Sequence, residues 1–117
     1  MIKRLSHLDV FTNSYQLAMD IFQMTRKFPK EEKYSLIDQV VRSSRSITAN
    51  IAEGCGRSSN AEFNRFLTIA SGSAAELHYH LILSKDLFYI SPELFTELET
   101  TVIEIKKMLY SFSQKLF

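Results

Sequence analysis

The sequence predicts an all-α protein, an antiparallel up-down-up-down bundle of four helices forming one domain over residues 1–117. Three observations carry that expectation. Apolar residues recur at i+3/i+4 spacing in four separate segments. Helix start and stop signals fall between those segments. Two prolines and three glycines leave little material for the turns of a β-fold. The chain is long enough to bury a core without disulfides or metal.

The first helix is expected over about residues 8–28, where Leu8, Phe11, Tyr15, Ala18 and Phe22 form a stripe. A second set, Val10, Leu17, Ile21, Met24 and Phe28, widens it beyond what one partner helix would cover. Pro29 biases Phe28 away from helical geometry and ends the run, and the charged Lys30–Lys33 stretch connects. The second helix, about 35–56, opens at Ser35 with Asp38 as a capping-box partner. It continues through Ile37, Val40, Ser44, Ile47 and Ile51, with Gly56 suited to a left-handed closing position. Ser59 and Glu62 form a capping box for the third helix, about 60–89, whose stripe runs Phe63, Phe66, Ala70, Ala74, Leu77, Leu81. At that length it spans roughly 40 Å. Ser91-Pro92 places an N-cap before proline and opens the fourth helix, about 92–115, with Leu94, Leu98, Val102, Ile105 and Leu109 inward.

Apolar residues at 45% and charged residues at 23% are ordinary for a soluble globular protein. Net charge is +1, from 14 basic and 13 acidic side chains, without the basic excess of a dedicated nucleic-acid binder. Any basic surface must therefore come from uneven distribution. Cys55 is the only cysteine, which excludes an intrachain disulfide and fits a reducing compartment. The opening MIKRLSHLDV lacks the apolar core of a signal peptide. Nothing approaches the roughly 18 apolar residues of a membrane span. A cytoplasmic protein without membrane contact is expected.

The stretch Asn50–Glu76 is the most distinctive. Asn50, Glu53 and Arg57 share a helix face, and Glu53 with Arg57 at i, i+4 favours an ion pair. Gly54, Gly56, Gly72 and Ser73 remove side-chain bulk and allow close backbone approach. Glu76 is expected to face Glu53 across the bundle. Two carboxylates, an amide and a guanidinium could hold a metal, but a network that fixes helix register is the simpler reading. The Glu-x-x-His pairs of a di-iron bundle are absent, and His78 and His80 point to different sides. His7 lies apart from both. Cys55 has no histidine at a helical spacing, and neither a phosphate loop nor a serine elbow occurs. The expectation is a protein with no catalytic residues, metal or cofactor.

Arg42 and Arg45 lie together on the second helix, and Arg57 and Arg65 flank the turn beyond it; these four are the candidate nucleic-acid contacts. Arg26, Lys27, Lys30 and Lys33 cluster around the first connector. Tyr79, Phe88 and Tyr89 are too spread along the third helix to read as a stacking platform. The doubled stripe on the first helix and the small residues Gly72-Ser73-Ala74-Ala75 favour self-association.

Phe28-Pro29, Tyr34-Ser35-Leu36, Gln39, Arg42, Ser46-Ile47, Asn50-Ile51-Ala52-Glu53-Gly54 and Gly56-Arg57 stand at recognisable spacing with Phe63, Phe66-Leu67, Ala70, Gly72-Ser73 and Glu76-Leu77. With these marks the chain closely resembles the family of 23S ribosomal RNA intervening-sequence proteins, known as four-helix bundle proteins. The resemblance runs from about Leu8 to Phe112. It implies a homopentameric ring without a defined biochemical activity. The accessory variability protein of diversity-generating retroelements, which works beside a reverse transcriptase and binds nucleic acid, is similar but conspicuously basic. Together these lead to an expected scaffold or accessory that binds itself, and RNA, DNA or a nucleic-acid enzyme through cations displayed by the ring. The alternative is a structural or protein-binding oligomer with no nucleic-acid contact.

Overall fold

The computed structural model describes residues 8–117, so His7 lies outside the described residues. Among these it holds four helices and no strand: α1 (Asp9–Thr25), α2 (Leu36–Cys55), α3 (Asn60–Asp86) and α4 (Pro92–Lys115), with a 3-10 turn at Lys30–Glu32. None of the helices is long and apolar enough to cross a membrane.

A continuous core runs through the bundle from Val10, Leu17 and Ile21 to Val40, Ile47 and Ile51, Leu67, Leu77 and Leu81, and Val102, Ile105 and Leu109. Each fully buried Leu or Ile side chain contributes on the order of 1.5–3 kcal/mol. The two apolar sets on α1 separate only in part. Val10, Leu17, Ile21, Met24 and Phe28, the second set, are buried. Of the first, Leu8, Phe11 and Ala18 are half-buried. Tyr15 and Phe22 stand outward, about half exposed, together with Met19, which neither set included; the three fall at i, i+4, i+7. Against α2, α3 comes very close at Gly54. A Cβ there would lie 2.8 Å from Phe63 Cδ1 and 3.0 Å from Phe66 Cβ, so the missing methyl is what admits the two rings. Further along, the Ser46 and Ser73 hydroxyls meet at 2.8 Å. Between α1 and α4 two clefts open, of about 690 Å³ beside Lys27, Tyr89 and Leu94 and about 210 Å³ beside Asn13, Gln16 and Glu104.

The helix ends differ from the sequence expectation in instructive ways. α1 stops at Thr25 rather than at residue 28, because Pro29 disfavours helix before it; the Phe28 N–H closes onto the Thr25 carbonyl at 3.0 Å instead. Ser35 makes no cap bond with the Asp38 turn: its hydroxyl donates to Glu32 Oε1 at 2.6 Å, so the expected box does not form. Ser59 does cap, accepting from the Glu62 N–H at 3.1 Å, and Ser91 accepts from the Leu94 N–H at 3.0 Å ahead of Pro92. Gly56 closes α2 with a right-handed φ of −85°, not the left-handed one expected. The left-handed closure falls on Phe88 instead, with φ of 64°. There the Phe88 N–H bonds the Lys85 carbonyl and the Tyr89 N–H the Ser84 carbonyl, both at 2.9 Å. That pair of bonds is a Schellman motif, and it ends α3 at Asp86 rather than at residue 89.

Candidate functional site

Each polar residue singled out in the sequence finds a definite neighbour, though often not the expected one. Glu53 and Arg57 pair at 2.7 Å as their i, i+4 spacing requires. Asn50 joins neither. Its amide donates to the Ser46 carbonyl at 2.8 Å and to Ser46 Oγ at 3.0 Å, one turn back along α2. Glu76 does not meet Glu53. It sits 3.3 Å from His80 Nε2 and shares a polar cleft of about 270 Å³ with Gln39, Arg42, Ser43 and Ser46. The two carboxylates therefore do not form one site. Among the described residues no three His, Cys, Asp or Glu side chains gather closely enough to hold a metal ion. Among the described residues nothing lies within 4 Å of a Cβ placed on Gly72, so of the two glycines inside α2 and α3 only Gly54 serves a close approach.

The four candidate arginines fall into two groups. Arg57 and Arg65 both stack on one ring, their guanidinium carbons 4.8 and 5.0 Å from the Phe66 centroid. Each also faces a carboxylate, Glu53 at 2.7 Å and Glu62 at 3.7 Å. Arg42 lies in the cleft with Glu76 and reaches Asp38 at 3.6 Å. Arg45 is exposed and has no carboxylate partner among the described residues. Phosphate binding by the first three would compete with ion pairs already made.

Two histidines reach carboxylates, His80 the i, i+4 neighbour Glu76 and His78 a residue on another helix that spacing could not assign. His78 Nε2 lies 2.8 Å from Glu99, tying α3 to α4. His80 is 8% exposed, and its Nδ1 has no hydrogen-bond partner among the described residues. Cys55 is partly buried, which pushes its thiol up and away from a reactive thiolate.

The connector end of the bundle is the feature that sequence reasoning missed. Glu32 accepts from the Ser35 hydroxyl at 2.6 Å and from the Tyr89 hydroxyl at 2.7 Å, while the Tyr89 ring packs 5.2 Å from Phe28. These bonds join the α1–α2 connector to the α3–α4 connector. The Ser35 bond first and the Tyr89 bond second hold the Glu32 carboxyl below the usual range, against the opposing effect of desolvation. The same bond to Glu32 pushes the Tyr89 phenol up. Around this clamp stand Phe88, 92% exposed, and Tyr34, 87% exposed. Arg26, Lys27, Lys30 and Lys33 lie beside them without carboxylate partners among the described residues. The Lys33 ammonium lies 5.3 Å from the Tyr34 centroid. The charged connector was visible in the sequence; its pairing with an aromatic from almost sixty residues downstream was not.

Comparison with known proteins places this geometry in context. The model of the 23S rRNA-intervening sequence protein family matches residues 6–111. A protein of unknown function from the S23 ribosomal protein family of Bacteroides thetaiotaomicron has a similar crystal structure, with 32% sequence identity and a TM-score of 0.83. The match covers 90% of this chain and 95% of that one. No curated protein matches the sequence.

Proposed function

Because the chain belongs to the 23S rRNA-intervening sequence protein family, we propose that it is a non-enzymatic, self-assembling four-helix scaffold whose assembled surface binds RNA or DNA, or an enzyme that acts on them, in the cytoplasm. The observation that carries the reading is the outer stripe of α1. Tyr15, Met19 and Phe22 stand half exposed on one face, and a contiguous exposed apolar face marks a site of interaction with another surface. A second copy of the chain is the proposed cover, repeating around a ring of five as the family resemblance implies. The pairings of Ser46 with Ser73 and of Gly54 with Phe63 support an antiparallel, up-down-up-down order within one domain. Repetition around an axis multiplies every exposed cation, so modest phosphate interactions sum to salt-sensitive affinity.

One observation favours a second reading, a structural or protein-binding oligomer without nucleic-acid contact. Arg42, Arg57 and Arg65 each face a carboxylate, and the net charge is only +1. Light scattering together with fluorescence anisotropy on labelled RNA and DNA across a salt titration separates the two. A particle near five times the 13.5 kDa chain mass, with affinity falling steeply as salt rises, is the expected result. The same particle with no binding at low salt would leave the second reading.

A further inference from the structure

We propose that the connector end of the bundle is a binding site for single-stranded nucleic acid, with Phe88 and Tyr34 stacking on bases and Arg26, Lys27, Lys30 and Lys33 reaching phosphates. The proposal rests on the nucleic-acid reading above and moves the binding surface from the α2 and α3 arginines to the two connectors.

Phe88 supplies the first reason. It occupies the left-handed position of a helix closure, where a side chain is disfavoured, and leaves its ring almost wholly in water. Neither packing within the chain nor backbone preference accounts for a phenylalanine there, and an outlier of this kind calls for a function. The second reason is company. Tyr34 is nearly as exposed. The hydrogen bond from Tyr89 to Glu32 ties together the two connectors that carry these rings, Phe88 next to Tyr89 in the chain and Tyr34 two residues beyond Glu32. Charge is the third. Residues 26–35 carry four cations against two carboxylates, and Glu32 is already engaged by two hydroxyls. The other acids at this end are Glu31, Asp86, Glu93 in the first turn of α4, and Asp20 and Glu97 in the cleft beside Lys27. Among the described residues none of them forms an ion pair with the four cations. Exposed rings beside unpaired cations match the chemistry of an unstacked strand, which offers base faces and phosphates together; a duplex hides the faces its bases would present.

The test uses the full chain and labelled oligonucleotides of about 15 nucleotides, as single-stranded RNA, single-stranded DNA and their duplexes, followed by anisotropy across a salt titration. Phe88→Gly is the informative variant, because glycine suits the left-handed backbone and leaves the fold intact. It should weaken single-strand binding by roughly five-fold to a hundred-fold. Lys27→Glu with Lys30→Glu should weaken binding too, and should flatten the logarithmic salt slope by about 0.7 for each phosphate that is no longer neutralised. Arg42→Glu with Arg45→Glu should change affinity much less than either. Absence of binding by the parent protein at low salt would overturn both this site and the broader nucleic-acid reading. Binding that survives the connector variants but is abolished by the Arg42 and Arg45 pair would overturn the site alone. Equal or tighter binding to duplexes would overturn the single-strand assignment. Capture by anionic phospholipid vesicles, with none by oligonucleotides, would identify a membrane-surface site in its place.

Discussion

Single residues show how far local rules reach. A left-handed phenylalanine costs about 1–2 kcal/mol of backbone energy that glycine would avoid. Phe88→Gly should therefore raise stability by about 1 kcal/mol, seen as a melting temperature several degrees higher, even as it removes the exposed ring. An unchanged or lower melting temperature would mean that the Phe88 side chain contributes packing to the fold. The glycines give the complementary case. Gly54 and Gly72 look alike in the sequence, each a small residue in a helical pattern. A methyl at Gly54 would press within 2.8 Å of Phe63 and 3.0 Å of Phe66, whereas one at Gly72 meets nothing within 4 Å among the described residues. Overpacking costs about 1–3 kcal/mol, while alanine recovers about 0.5–1 kcal/mol of helix propensity. Gly54→Ala should thus destabilise by about 1 kcal/mol and Gly72→Ala should stabilise slightly, as chemical denaturation would register. Sequence periodicity could not separate them, because the difference lies in which helix face a neighbour occupies.

At the level of elements, four helices were legible because each carries its own 3.6-residue stripe, and the Ser59 and Ser91 caps are local chemistry that adjacent residues dictate. Ends decided by partners distant in the chain were not legible. Ser35 abandons its capping role because Glu32 is held in place by Tyr89, and α3 closes on Phe88 because Tyr89 is anchored against Phe28. The same anchor produces a pH signature. With its carboxyl held low, Glu32 adds stability that is present above the ordinary carboxylate value of about 4.3 and is lost as pH falls through the folded value. Tyr89, with its phenol pushed up, adds stability that is present below about 10 and is lost as pH rises through its folded value. The stability difference between the parent chain and Tyr89→Phe, from urea unfolding at a series of pH values, should form a plateau across neutral pH and shrink at both extremes. A difference that stays flat into acid would show that the Tyr89 bond to ionised Glu32 does not matter to folding.

For the whole molecule, the decisive quantity is the apolar surface that one copy cannot bury. The sequence registers two apolar sets on α1 but not which of their residues the chain itself covers; that depends on how α2 and α4 straddle the helix. The core takes Val10, Leu17, Ile21 and Met24 and leaves Tyr15, Met19 and Phe22 outward. If those outward residues meet a second copy, folding and assembly are linked, and the unfolding midpoint must rise with protein concentration. Charges placed on the stripe should uncouple them. Tyr15→Glu with Phe22→Glu alters side chains that are half in water and replaces no buried core residue, so the monomer should remain helical by circular dichroism. Its scattering mass should fall to that of one 13.5 kDa chain, and its midpoint should no longer depend on concentration. Because repetition around the assembly is what sums weak phosphate interactions, the same variant should bind oligonucleotides more weakly although every cation at the connector end is intact. A variant that stays assembled would place the subunit interface on another face, and the exposed stripe would then be open to a different protein.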